Sequence, residues 1–143
     1  MKIILLPILS FLVFIFSSFS EPTVEKEVYL QAKLTGVFYY SKCNCGDEHP
    51  ILVRVKYKVS GQDFTDLKLQ NTYTGGIVST VSVTDLAKDG SVVYQFCIQE
   101  NGHQEFVSVF VNSKGEYSRE IPITINAVKQ NIINGTAPEI LKN

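Results

Sequence analysis

The stretch Ile51-Leu52-Val53-Arg54-Val55-Lys56-Tyr57-Lys58-Val59 decides the fold class. Ile51, Val53, Val55, Tyr57 and Val59 alternate with Leu52, Arg54, Lys56 and Lys58. Successive side chains of an extended chain point to opposite faces, so this order makes one apolar face and one basic face. A helix would scatter the same lysines around its circumference. The pattern repeats outward along the chain. Val92, Tyr94, Phe96 and Ile98 alternate with Val93, Gln95 and Cys97. Val107, Val109 and Val111 alternate with Phe106, Ser108 and Phe110, so that strand is apolar on both sides. Ile121, Ile123 and Ile125 alternate with Pro122, Thr124 and Asn126. Pro122 has no N–H to give, which puts its strand at a sheet edge or leaves that position unpaired.

Weaker strand signals fill the gaps. Val28, Leu30 and Leu34 share a face, and residues 37–40 continue or restart that strand. Leu67, Leu69 and Tyr73 share another, and Ile77, Val81 and Val83 a third. Turn chemistry separates them at Gly46-Asp47, Gly61-Gln62, Gly75-Gly76, Asp89-Gly90, Asn101-Gly102 and Lys114-Gly115. Asn101-Gly102 between two alternating runs predicts a hairpin. No amphipathic helix stands out; residues 85–88 offer one turn at most. The expected core is Ile51, Val53, Val55, Tyr57, Val92, Tyr94, Phe96, Val107, Val109, Ile121 and Ile123.

Seven to eight short strands in about a hundred residues predict an all-β, antiparallel β-sandwich. Residues 106–125 carry Asn112, Gly115, Ser118 and the run Ile121-Pro122-Ile123-Thr124-Ile125. They resemble the last hairpin of a fibronectin type III domain. The resemblance implies an immunoglobulin/fibronectin III-like architecture and no particular activity.

Residues 1–20 read as a segment outside the domain. Their single charge is Lys2, and an apolar run over 3–16 is broken only by Ser10. That run is shorter than the ~20 residues a membrane-spanning helix needs. With Ser18 and Ser20 at the −3 and −1 positions it has the form of a secretory signal peptide, cleaved before Glu21. The expected organisation is therefore a signal peptide over 1–20, a sandwich over 21–126 and a polar tail over 127–143. No transmembrane segment is expected in the mature chain. Without Lys2, 12 basic side chains face 14 acidic ones. Nucleic acid and anionic membranes both select a strong basic excess, so neither is the expected partner.

The chain holds three cysteines, Cys43, Cys45 and Cys97. In an oxidising compartment they predict one disulfide from Cys97 to either Cys43 or Cys45, with one thiol left over. Cys97 alternates with Tyr94 and Phe96, so the bridge belongs on an outer face. A metal alternative draws on the same thiolates with His49 and His103, as a zinc or copper(I) site. The spacing matches no zinc pattern, and no cofactor or metal is expected. Asn134-Gly135-Thr136 is a sequon, which makes Asn134 the candidate glycosylation site.

Catalytic constellations are weak. His49 lies beside Asp47 and Glu48, and His103 beside Glu105, all in expected loops, and no GxSxG occurs. A non-enzyme is expected. Arg54, Lys56 and Lys58 form a basic stripe, which Lys33 and Lys68 extend if neighbouring strands align them. Tyr39, Tyr40, Tyr73 and Tyr117 are candidate exposed aromatics for stacking on sugar rings. The expectation is a secreted, extracellular binding module for a protein or carbohydrate ligand, serving adhesion or recognition. A small secreted inhibitor or lipid carrier is the alternative, and a Cys/His metal protein the third reading.

Overall fold

Eight strands and one 3-10 turn make up the described chain: β1 (Leu30–Lys42), β2 (Ile51–Gly61), β3 (Lys68–Tyr73), β4 (Val78–Ser82), β5 (Ser91–Ile98), β6 (His103–Val111), β7 (Ile121–Asn126), the turn Lys129–Asn131, and β8 (Ile132–Thr136). The structure is a computed structural model and describes residues 30–140. Two four-stranded sheets form, one in the order β5-β2-β1-β8 and the other β4-β3-β6-β7. All pairings are antiparallel except β8 on β1. The chain is thus an all-β protein of two sheets, as its alternating runs predict.

The deciding stretch behaves as read. Ile51, Val53, Val55, Tyr57 and Val59 are all buried, and β2 lies inside its sheet between β1 and β5. From the other sheet Leu69, Phe106, Phe110, Ile121, Ile123 and Ile125 pack against them. The Tyr57 ring meets the Phe110 ring edge-on, with centroids 5.2 Å apart. Pro122 sits on β7, an edge strand, with its side chain exposed. Gly90, at φ 83°, brings the β4–β5 connection against β2, where a Cβ would run into the Val59 carbonyl oxygen.

Strand β6 faces the other way from the expectation. Phe106, Ser108 and Phe110 point inward, while Val107 and Val109 are half-buried on the outer side. Period two identifies two faces without saying which is inside. The two phenylalanine rings bury far more apolar area than the valines, and Ser108 is carried in with them. Tyr94 and Phe96 are half-buried beside the core, because β5 is an edge strand.

Asn101-Gly102 makes no hairpin. It carries the chain from β5 in one sheet to β6 in the other. Asn101 takes φ 60° there, and the turn exchanges backbone bonds with Ala127 just past β7. Ile77, Val78 and Val81 are exposed at 68%, 57% and 38%, so the face that Ile77 and Val81 share stays largely open. Finally, the sheet does not stop at residue 126. Ala127 is fully buried, and β8 aligns Ile132 and Ile133 with Tyr39 and Tyr40 of β1. A short strand containing Asn134-Gly135 has no alternation to reveal it. The expected signal peptide, its cleavage point and Val28 lie outside the described residues.

Candidate binding surface

The outer face of the β5-β2-β1-β8 sheet is built from the second set of β2 side chains. Register places Phe38 opposite Arg54, Tyr40 opposite Leu52 and Lys33 opposite Lys58. Gln95 lies opposite Arg54 on the other flank. These alignments fold the basic stripe onto aromatic rings. The Arg54 guanidinium carbon lies 5.8 Å from the Tyr40 ring centre, and Lys56 Nζ 4.8 Å from that of Phe38. Such contacts stabilise a cation while covering the ring.

Arg54 is accordingly buried, at 8% exposure, and not the solvated residue expected from alternation. Its Nε–H donates to Gln95 Oε1 at 3.1 Å, and its Nη1–H donates to the Pro138 carbonyl oxygen. A buried guanidinium needs such acceptors, and a strap over 137–140 supplies one. Lys56 is half-buried, and Lys58 and Lys33 are exposed. Lys68 belongs to the other sheet and does not extend the stripe.

Beside the strap lies a groove of about 490 Å³ bounded by Arg54, Lys56, Lys88, Asp89, Val93 and Pro138. Asp85 and Glu139 also reach it, so its charge is mixed. Asp89 accepts from the Ser91 hydroxyl at 2.8 Å and its N–H at 3.0 Å. Those bonds hold its carboxyl below the usual carboxylate range. It therefore keeps its charge, and its turn keeps its shape, at one wall of the groove.

The tyrosines do not form a stacking platform. Tyr39 is buried and accepts a bond from the Asn126 N–H at 2.8 Å, tying the two sheets together. Tyr40 is buried beneath Arg54. Tyr73 is half-buried, its ring tilted against Phe106 and its hydroxyl 3.3 Å from that of Tyr94. Burial, then the Tyr94 hydroxyl, pushes its ionisation above the ordinary phenol range. Tyr117 is half exposed, away from the stripe on the β6–β7 connection.

The disulfide joins Cys45 to Cys97, with Cα atoms 5.9 Å apart. It ties the β1–β2 connection to the end of β5 on the outer side, where Cys97 is exposed. Cys43 keeps its thiol, half-buried, and donates to the Pro50 carbonyl oxygen at 3.2 Å. The bridge takes two thiolates from the metal reading. Among the described residues no group of three ligating side chains comes together. His49 is exposed on its turn, and His103 Nε2 lies 3.4 Å from Glu105 Oε1, both exposed. Asn134 is exposed on β8, where its Oδ1 accepts from Ser41 Oγ at 3.3 Å.

Sequence reasoning missed Gln95 and the strap. Gln95 carried a signal, since it alternates outward next to an outward arginine. The strap carried none beyond Pro138, because an irregular segment has no period. No family model, curated protein or solved structure matches this chain.

Proposed function

We propose that this chain is a secreted, non-enzymatic β-sandwich of the immunoglobulin/fibronectin III kind that binds an extended segment of a partner protein along the outer face of β5-β2-β1. One observation carries the reading. Arg54 already holds a piece of the chain itself, the segment 137–140, through a main-chain carbonyl, that of Pro138. Any extended peptide offers that group, and Lys56 and Lys88 line the same groove. The volume beside the strap, about 490 Å³, lies within the range of ligand sites.

The strand order supports the finer fold class. The order β5-β2-β1 in one sheet and β3-β6-β7 in the other is compatible with the E-B-A and C-F-G orders of an immunoglobulin-like sandwich. The fourth strand, β4, joins β3 instead of β5. A protein ligand is favoured over a glycan because Tyr39 and Tyr40 are buried and Tyr73 is packed on Phe106. Export is favoured by the leader-like residues 1–20 and by a disulfide that an oxidising compartment preserves. No described helix is long and apolar enough to cross a membrane.

The test pairs a displayed random-peptide library with a glycan array, both against residues 21–143. Peptides should be selected, and their binding should fall at least tenfold in Lys56→Glu/Lys88→Glu. Ending the chain after Thr136 should strengthen binding by freeing Arg54. Glycan binding without peptide binding, or peptide binding indifferent to both changes, overturns the reading.

A further inference from the structure

Among the described residues the two sheets have four edges, β5 and β8 on one and β4 and β7 on the other. An open edge invites another strand, and proteins commonly blunt it with charge, proline or cover. Strand β7 carries Pro122, which has no N–H to offer a newcomer. Strand β8 carries the exposed Asn134, the candidate glycosylation site, whose glycan would screen that edge. Strand β5 has its Ser91 carbonyl taken by the Ala87 N–H and its far end tied down through Cys97. Among the described residues strand β4 has none of these guards. From Thr74 to Thr84 there is no charged residue and no proline.

The register of β4 shows which of its groups are open. The Tyr73 N–H donates to the Ile77 carbonyl, and the Val83 N–H to the Leu67 carbonyl, both at 2.8 Å. Between them Ser79 aligns with Asn71 and Val81 with Leu69. In an antiparallel ladder the hydrogen-bonded pairs alternate with unbonded ones. Ile77, Ser79, Val81 and Val83 therefore bond to β3, while Val78, Thr80 and Ser82 turn N–H and C=O toward the open edge. All three are exposed.

We propose that β4 is the interface for a second copy of this chain, added antiparallel about a two-fold axis through Thr80. The open groups are self-complementary in that register. Thr80 faces Thr80 of the other copy and exchanges both bonds with it, and Val78 faces Ser82 in the same way. Each outward N–H meets a C=O, so no group is left over. Ile77 comes opposite Val83, and Ser79 opposite Val81. Ile77, Val78 and Val81, all exposed, each gain a cross-strand side-chain neighbour in the process. Residues 74–84 carry no charge, and Lys68 stands one strand back opposite Ser82, so no like charges meet at the axis. A foreign peptide satisfies the backbone equally, but nothing on this strand would select it. A two-fold contact of one edge with itself is closed, and joins two sheets into one of twice the width without polymerising.

Sedimentation equilibrium on residues 21–143 tests this. The wild type should show twice the monomer mass, falling to the monomer mass on dilution. Thr80→Pro removes an outward N–H and leaves the β3 ladder intact, so it should give a monomer with an unchanged melting temperature. Thr80→Lys and Thr80→Glu should each be monomeric by like-charge opposition, and an equimolar mixture of the two should regain the double mass. That charge pair decides the matter if Thr80→Pro does not fold. A monomeric wild type overturns the proposal, even one that takes up a synthetic peptide copying residues 77–83. A double mass indifferent to every Thr80 change overturns it as well.

Discussion

Tyr57 of β2 and Ser108 of β6 bring their hydroxyl oxygens to 2.8 Å across the space between the two sheets. Ser108 donates its own proton to Asn71 Oδ1 at 2.7 Å, which makes Tyr57 the donor to Ser108. All three residues are essentially buried, and Asn71 Nδ2 has no partner among the described residues. A polar chain thus crosses an otherwise apolar core and fixes how the sheets sit on one another. Ser108→Ala strands both the Tyr57 hydroxyl and Asn71 Oδ1, at about 1–3 kcal/mol for each. Tyr57→Phe should cost less, about 1 kcal/mol, because Ser108 keeps its bond to Asn71. Denaturant unfolding of both single variants and the double variant checks this, and the double should lose less than the sum. Strictly additive losses would mean that the three groups do not act as a chain.

Alkali should unfold the protein through the same residue. Burial, partly offset by the Ser108 bond, pushes the Tyr57 phenol from an ordinary 10.0 up to about 12. The folded state therefore holds this proton more tightly than the unfolded state does. Its contribution is fully present below pH 10 and is lost as pH rises through about 12. Melting temperature followed from pH 8 upward should fall across that window. Tyr57→Phe should flatten the fall, and an identical alkaline profile in the variant would assign the transition to other groups.

The disulfide spans 52 residues of sequence between Cys45 and Cys97. On the chain-entropy account, closing such a loop stabilises by about 4 kcal/mol through the unfolded state. Cys45→Ser and Cys97→Ser should both lower the melting temperature by many degrees, and Cys43→Ser should be nearly neutral. Unreduced peptide mapping should link the Cys97 fragment through Cys45 alone. Equal effects of Cys43→Ser and Cys45→Ser would refute the assignment.

Arg54 and Lys58 lie on the same face of β2, yet their truncations should differ. Arg54→Ala uncovers Tyr40 and removes the donor to Gln95 and Pro138, at about 1–3 kcal/mol. Lys58→Ala touches an exposed side chain and should stay within about 0.5 kcal/mol. Calorimetry on the two variants measures the gap. Equal small losses would show that the strap over 137–140 is not held by Arg54.

What the residues of this chain determine alone is local. Strict alternation over 51–59, 92–98 and 121–126 reports extended backbone and two faces, because side-chain direction in a strand depends only on position. Pro122 announces an edge because it lacks an N–H, and Cys97 had to pair upstream because only Cys43 and Cys45 were there to meet it. Everything that depends on what lies across the gap waited for the tertiary structure. The inward face of β6 was settled by how Phe106 and Phe110 fill the space against Tyr57, a comparison of volumes that one strand's pattern does not contain. Asn101-Gly102 has hairpin chemistry, but a turn motif cannot say whether its two strands join one sheet or two. Arg54 reads as a solvated cation until register sets it over Tyr40 and beside Gln95, and until an aperiodic end of the chain crosses it. Cys45 was chosen over Cys43 by the path of the β1–β2 connection, since a disulfide needs proximity and direction that spacing does not encode. Long-range pairing is a property of two segments together, and a single pass along the chain shows only one segment at a time.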